Sequence, residues 1–104
     1  MIIGIGHDIC DQRRIAELLN RFDTRFINRI LTKQEQAELA KRNQKEAYFA
    51  GRFAVKEAVY KALAGADQSN MRWHHAATLS NGRGAPHLTL SEACLAGAEA
   101  LLPA

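Results

Sequence analysis

Two acidic residues stand where an unpaired carboxylate is hard to accommodate. Asp8 follows a run of isoleucine and glycine in MIIGIGHDIC, and Glu57 interrupts the largely apolar stretch GRFAVKEAVYKAL at 51–63. A carboxylate buried without a partner costs free energy, so some group must meet Asp8. Magnesium commonly takes one or two protein carboxylates and completes its shell with water and phosphate oxygens. The two acids are therefore a candidate magnesium-diphosphate site, with Lys61 and Lys56 facing the phosphates.

Each acid also has a simpler interpretation. Glu57 and Lys61 are four residues apart, the spacing of an ordinary surface ion pair on a helix, which contributes only about 0.2–0.5 kcal/mol. Asp8 can cap the helix that follows it. Local pattern alone leaves both alternatives open.

A strand and a long helix must position these residues. The density of isoleucine predicts a strand over residues 2–10, with Asp8 near its end. A helix from about 45 to 64 is predicted to end near Gly65. At 100° per residue, one side of this helix is crowded with small apolar side chains and is predicted to face the core. That side holds Ala54, Val55, Ala58, Val59 and Ala62. A separate row holds Phe53, Glu57 and Lys61.

Capping signals place the other helices. Asp11 is predicted to cap a helix that carries Arg14 and Arg21 on its polar side, followed by a short apolar turn at 26–31. The pattern Thr-Lys-Gln-Glu at 32–35 is that of a capping box and predicts a helix over residues 33–42, which Asn43 breaks.

Turn signals organise the second half of the chain. Residues 71–79 alternate as a strand, NGRGAP supplies a hairpin turn, and HLTL returns as a second strand. Ser91 is predicted to cap a last helix. The order of elements predicts a single α+β domain over residues 1–104 with a small, mainly antiparallel sheet packed on helices.

Composition narrows the class of protein. The 104 residues are 47% hydrophobic and 24% charged, which is typical of one folded domain, and the formal charge of +3 suits an acidic partner or a phosphorylated ligand. Cys10 and Cys94 are far apart and show no metal-ligand spacing, which favours a reduced cytoplasmic protein without zinc. The apolar N-terminus lacks the basic region of a signal peptide, and Asp8 cuts it short, so we expect no leader and no membrane span.

The stretches GIGHDIC and FAGRFAVKEAVYKAL resemble the holo-[acyl-carrier-protein] synthases, the small class of 4′-phosphopantetheinyl transferases. RRIAELLNRF and RFINRILTKQE, which lie between them, are similar to the same family. The resemblance is continuous over residues 1–63 and looser to residue 104. A Gly-x-Asp strand together with a Phe-x-x-Lys-Glu-Ala-x-x-Lys helix at this separation is a specific pattern, whereas either half alone is a weak one.

The resemblance implies magnesium-dependent transfer of 4′-phosphopantetheine from coenzyme A to a serine of acyl carrier protein, in fatty acid biosynthesis. It implies that Asp8 and Glu57 hold Mg²⁺, that Lys61 contacts phosphate, and that Arg52 and Gly65 join Lys61 in binding coenzyme A. We hypothesise that Glu57 removes the serine proton through a metal-bound water.

The resemblance also implies partners. It places the acidic helix of the carrier protein on the segment that carries Arg14, Arg21, Arg25 and Arg29, with Arg14 the best match. Each arginine is equally compatible with a solvated basic helix face. The family further implies a homotrimer with active sites between subunits.

The sequence departs from the family pattern at two places. LAGADQSN replaces the Gly-Thr-Gly type loop that usually follows the catalytic helix, which puts the coenzyme A contacts of that loop in doubt. The chain stops at LLPA, where family members continue into another strand, so we expect a weakened sheet and reduced activity.

Two other functions remain as alternatives. The first is a folded but inactive relative that binds carrier protein without catalysis. The second is a small nucleic-acid-binding domain, suggested by the sequence pI of about 9.1. The second is the weaker, because only 7% of the residues are aromatic and no basic stripe is interleaved with them. We therefore expect neither nucleic acid nor membrane among the partners.

Overall fold

The computed structural model describes residues 25–103. These residues form four helices and one two-stranded sheet. The helices are residues 25–30 (α1), Lys33–Ala40 (α2), Lys45–Ala62 (α3) and Glu92–Ala100 (α4), and the strands are Ala76–Ser80 (β1) and Pro86–Leu90 (β2). A 3₁₀ turn, Trp73–His75, precedes β1. The predicted strand over residues 2–10 and the helix capped by Asp11 lie outside the described residues.

The capping box at the start of α2 is confirmed. The Thr32 hydroxyl accepts a hydrogen bond of 3.1 Å from the Glu35 amide, and Glu35 Oε1 accepts one of 2.9 Å from the Thr32 amide. The helix ends at Ala40, two residues before the predicted end. Lys45 Nζ then donates to the carbonyls of Leu39, Ala40 and Arg42, so the free carbonyls of this helix end find a partner.

The predicted hairpin is confirmed, but its first strand begins later than predicted. β1 and β2 pair antiparallel from Ala76 opposite Leu90 to Ser80 opposite Pro86. Asn81 Oδ1 accepts hydrogen bonds from two turn amides, and Gly84 adopts a φ of 81°, which favours glycine. The predicted strand over residues 71–79 is wrong at its start, because residues 73–75 curl into the 3₁₀ turn.

Helix α3 runs between two apolar clusters and contributes to both. The first cluster consists of Ile30, Leu31, Leu39, Phe49 and Ala50. The second consists of Val59, Leu63, Ala76 and Cys94. Lys56 lies on α3 between the residues that join the first cluster and those that join the second, and it is only 2% exposed. Of the predicted core side of α3, Val59 is fully buried and Val55 packs against the second cluster, but the burial of Lys56 was not predicted.

Helix α4 closes the second cluster. Ser91 stands at its N-cap position as predicted, but its side chain makes no capping hydrogen bond, and its amide donates to the His75 carbonyl at 2.9 Å. Cys94 is a buried free thiol, and burial raises its pKa. No helix within residues 25–103 is long and apolar enough to cross a membrane.

Candidate active site

Helix α3 carries Phe53, Glu57 and Lys61 in one row, because residues four apart differ by only about 40° around a helix. Phe53 at the start of the row packs into an aromatic group, with its ring centroid 6.3 Å from that of Phe26 and 5.3 Å from that of Trp73. Glu57 is half-buried and Lys61 is exposed. The row thus passes from the core to the surface, which leaves a carboxylate and an ammonium group one turn apart at the edge of the domain.

Lys56 does not face this edge. Its ammonium group lies 2.8 Å from Glu35 Oε1 and donates to the carbonyls of Trp73 at 3.0 Å and Ala76 at 2.7 Å. An ammonium group has three donors, and these three acceptors use all of them. The prediction that Lys56 faces phosphate groups is therefore wrong.

The Lys56–Glu35 pair is an ion pair in the interior of the domain. The Glu35 side chain is fully buried, and its second oxygen, Oε2, accepts a hydrogen bond of 3.0 Å from the Thr78 amide. Burial lowers the pKa of Lys56, and the hydrogen bond to Glu35 opposes that shift. Buried charges are tolerated when they are paired and hydrogen-bonded, as both are here.

Arg52, one of the predicted coenzyme A ligands, lies against α2. Its guanidinium group packs over the Tyr48 ring at 4.7 Å, and Nη2 lies 3.5 Å from Glu38 Oε2. Among residues 25–103, its buried Nε finds no hydrogen-bond partner. The role of Arg52 toward coenzyme A stays a prediction.

Gly65, the other predicted coenzyme A contact, lies in the turn after α3. A Cβ atom built on it would stand 3.1 Å from Leu101 Cδ2, which is a tight contact. The absence of a side chain therefore lets the end of α4 approach this turn. Its contact with coenzyme A also stays a prediction.

A basic cleft lies between α1 and the 3₁₀ turn. Arg25, Arg29 and Arg72 line a cavity of about 500 Å³ together with Trp73 and other neighbours. His74 Nε2 lies 2.6 Å from the Asn28 carbonyl, and this contact joins the 3₁₀ turn to α1. The three arginines take no part in the Arg52–Glu38 and Lys56–Glu35 ion pairs of residues 25–103. Three positive charges on one cleft favour an acidic ligand.

Comparisons with known proteins identify the family. The family model described as the 4′-phosphopantetheinyl transferase superfamily matches residues 4–99. The chain belongs to the 4′-phosphopantetheinyl transferase superfamily. Its relatives include the holo-[acyl-carrier-protein] synthase of Mesorhizobium japonicum, 42% identical over 103 residues that make up 99% of this chain and 75% of the relative.

More distant superfamily members show the same likeness. The holo-[acyl-carrier-protein] synthase of Protochlamydia amoebophila is 37% identical over 91 residues, 88% of this chain and 75% of the relative. The crystal structure of holo-[acyl-carrier-protein] synthase from Neisseria meningitidis matches with a TM-score of 0.75 and 32% identity, covering 92% of this chain and 76% of that one. The predicted α+β fold class is thereby confirmed.

The described part of this superfamily member supplies one of the two predicted carboxylates. Within residues 25–103, no three His, Cys, Asp or Glu side chains gather at metal-binding distance. A half-buried glutamate with a lysine one turn away fits magnesium, which takes one or two protein carboxylates, better than zinc, which takes three or four protein ligands. Asp8 lies outside the described residues, so its approach to Glu57 stays a prediction.

Helical spacing predicted that Glu57 and Lys61 share one row of α3, and they do. Their roles in the site, and that of Arg25, come from the family resemblance and stay predictions. Arg14 and Arg21 lie outside the described residues. The sequence did not predict that Arg72 lines the cleft, because it reaches the cleft from a segment more than 40 residues beyond Arg29.

Proposed function

We propose that this superfamily member is a holo-[acyl-carrier-protein] synthase that transfers 4′-phosphopantetheine from coenzyme A to a serine of apo acyl carrier protein. The observation that carries the proposal is the row of Glu57 and Lys61 on α3, at the edge of the core. Lys56, on the same helix, is buried and forms an ion pair with Glu35. The relatives that carry the printed name holo-[acyl-carrier-protein] synthase match almost the whole chain. Together these support a site for a diphosphate rather than an incidental surface ion pair.

In the proposed reaction the serine oxygen attacks the phosphorus that bears pantetheine, and the bond from that phosphorus to the oxygen of the leaving adenosine 3′,5′-bisphosphate breaks. The serine proton is proposed to pass to Glu57. Lys61, exposed at the end of its row, neutralises the phosphate oxygens as charge builds on them. Asp8 and Glu57 would hold Mg²⁺, which supplies Lewis-acid stabilisation of that charge. Arg52 and Gly65 are proposed to contact coenzyme A.

The carrier protein is proposed to dock on the basic cleft together with Arg14 and Arg21. The cleft offers three arginines without a described carboxylate partner, which complements an acidic protein surface. This part of the proposal also holds for the alternative function, an inactive relative that only binds carrier protein.

We also propose a cytoplasmic homotrimer with active sites between subunits. Four large apolar side chains are 42–58% exposed, namely Tyr60, Leu95, Leu101 and Leu102, which supports contact with another chain. Sedimentation that shows an active monomer would contradict the trimer.

One experiment tests the catalytic proposal. The 104-residue chain is incubated with coenzyme A, Mg²⁺ and apo carrier protein, and mass spectrometry reports the phosphopantetheine increment on the carrier. We expect the increment with the wild-type chain and its loss with Glu57→Gln. If the wild-type chain binds carrier protein but yields no increment, the alternative function is the correct one.

A further inference from the structure

The buried lysine next to Glu57 is tied to three separate elements. Its ammonium group contacts the Glu35 carboxylate at the start of α2, the Trp73 carbonyl in the 3₁₀ turn and the Ala76 carbonyl at the start of β1, all within 3.0 Å. Few other side chains within residues 25–103 are as fully buried. Helix α3 is thus held at Lys56 from three directions.

The Glu35 carboxylate is hydrogen-bonded at both of its oxygens. Glu35 Oε1 also accepts from the Thr32 amide at 2.9 Å, and Oε2 accepts from the Thr78 amide at 3.0 Å. The carboxylate therefore joins the α2 cap and the middle of β1 to the ammonium group. A side chain fixed by such a network cannot rotate without breaking several buried hydrogen bonds, each of which is costly to leave unmade.

The contacts of Lys56 determine the direction in which the neighbouring Glu57 points. Successive residues on a helix point about 100° apart, so the rotation of α3 at Lys56 determines where the Glu57 carboxylate points. Catalytic groups generally need their geometry held within about 0.5 Å and about 10–20°. A buried ion pair is weak evidence for stability, since well-packed apolar residues of similar volume often serve as well, but it can select one orientation.

We propose that Lys56, held by Glu35, is a positioning residue that orients Glu57 for metal binding. The inference rests on the proposed function, in which Glu57 is a magnesium ligand. It replaces the sequence-based expectation that Lys56 contacts phosphate, and it explains why an ammonium group occupies a core position of α3.

The test compares metal affinity in folded variants. Mn²⁺ binding in the presence of coenzyme A is measured by electron paramagnetic resonance on the full chain, at a temperature where circular dichroism shows each variant to be fully folded. Lys56→Met keeps an unbranched side chain that is one atom shorter, and it removes the charge and the three donors of the ammonium group. We expect Mn²⁺ affinity to fall about 10- to 100-fold, the usual effect of losing a group that orients a metal ligand.

Two further variants make the result decisive. Leu39→Ala opens a cavity in α2 one turn from Glu35 and leaves both members of the ion pair in place, and we expect it to lower the melting temperature but keep Mn²⁺ affinity within about twofold. Glu35→Gln keeps an acceptor for Lys56 and removes the charge, and we expect an affinity loss of at least about threefold. This variant carries the test if Lys56→Met does not fold.

The outcomes separate this inference from the proposed function. Equal weakening in Leu39→Ala and Lys56→Met, or unchanged affinity in Lys56→Met and Glu35→Gln, would overturn the positioning role. Glu57→Gln provides the reference: if it binds Mn²⁺ as tightly as the wild type, the metal site itself is wrongly assigned. Loss in Glu57→Gln without loss in the Lys56 and Glu35 variants would overturn the positioning role alone.

Discussion

Tyr48 donates a hydrogen bond of 2.7 Å from its hydroxyl to Glu38 Oε2. Glu38 Oε1 in turn accepts from the Ser80 amide at 2.7 Å, and the Arg52 guanidinium lies beside both side chains. Burial and the hydrogen bond to Glu38 raise the pKa of Tyr48 to about 12. Burial raises the pKa of the Glu38 carboxyl. The hydrogen bonds from Tyr48 and Ser80 and the charge of Arg52 lower it by more, so the net effect is a lowered pKa.

This pair predicts a late ionisation of Tyr48. The sequence holds two tyrosines, Tyr48 and Tyr60, and Tyr60 is 44% exposed. Alkaline titration of the absorbance at 295 nm should show one of them ionising near pH 12, and Tyr48→Phe should remove that step, whereas Tyr60→Phe should leave it. Because the folded pKa lies above the unfolded value of 10.0, the contribution of Tyr48 to stability is complete below pH 10 and is lost as the pH rises through about 12. A late step that survives Tyr48→Phe would contradict the assignment.

The capping box of α2 predicts a measurable loss of stability. Thr32→Ala removes the oxygen that accepts from the Glu35 amide, and we expect the free energy of unfolding in urea to fall by about 0.5–2 kcal/mol. Thr32→Ser keeps the hydroxyl and should recover most of the loss. Equal destabilisation by both substitutions would show that the methyl group, rather than the cap, is responsible.

The basic cleft predicts that Arg72 contributes to carrier binding. Arg72→Glu reverses a charge in the cleft, and we expect the KM for carrier protein to rise about tenfold, or about 1.4 kcal/mol, with kcat nearly unchanged. Lys41→Glu makes the same change in charge at the far end of α2 and should have a much smaller effect. If both variants raise the KM equally, net charge rather than the cleft governs docking.

Gly65, in the turn after α3, is predicted to contribute to coenzyme A binding. Gly65→Ala brings a methyl group to 3.1 Å from Leu101 Cδ2, and Leu101 is 44% exposed and can move. We therefore expect the free energy of unfolding to change by no more than about 0.5 kcal/mol while the KM for coenzyme A rises. Gly51→Ala, where a Cβ meets nothing within 4 Å, should leave that KM unchanged. Loss of stability with an unchanged KM would make Gly65 a packing residue only.

Interactions between near neighbours in the chain could be predicted from the sequence. The capping box depends on Thr32 and Glu35, three residues apart, and the hairpin turn depends on Asn81 and Gly84. The row of Glu57 and Lys61 depends only on the helical repeat. Each of these requires a few φ and ψ values that the local residues themselves favour, so the surrounding fold had little to add. The family resemblance was likewise carried by local motifs.

The environment of a residue whose partners lie far along the chain was decided by the tertiary structure. Lys56 looks like a surface lysine in the sequence, but its acceptors are 17–21 residues away, at Glu35, Trp73 and Ala76. Helical spacing shows which side chains share a face of α3 but not what that face meets. A charged side chain is stable in the core only when the fold brings it an opposite charge and enough acceptors, and the spacing of residues along α3 does not contain that information.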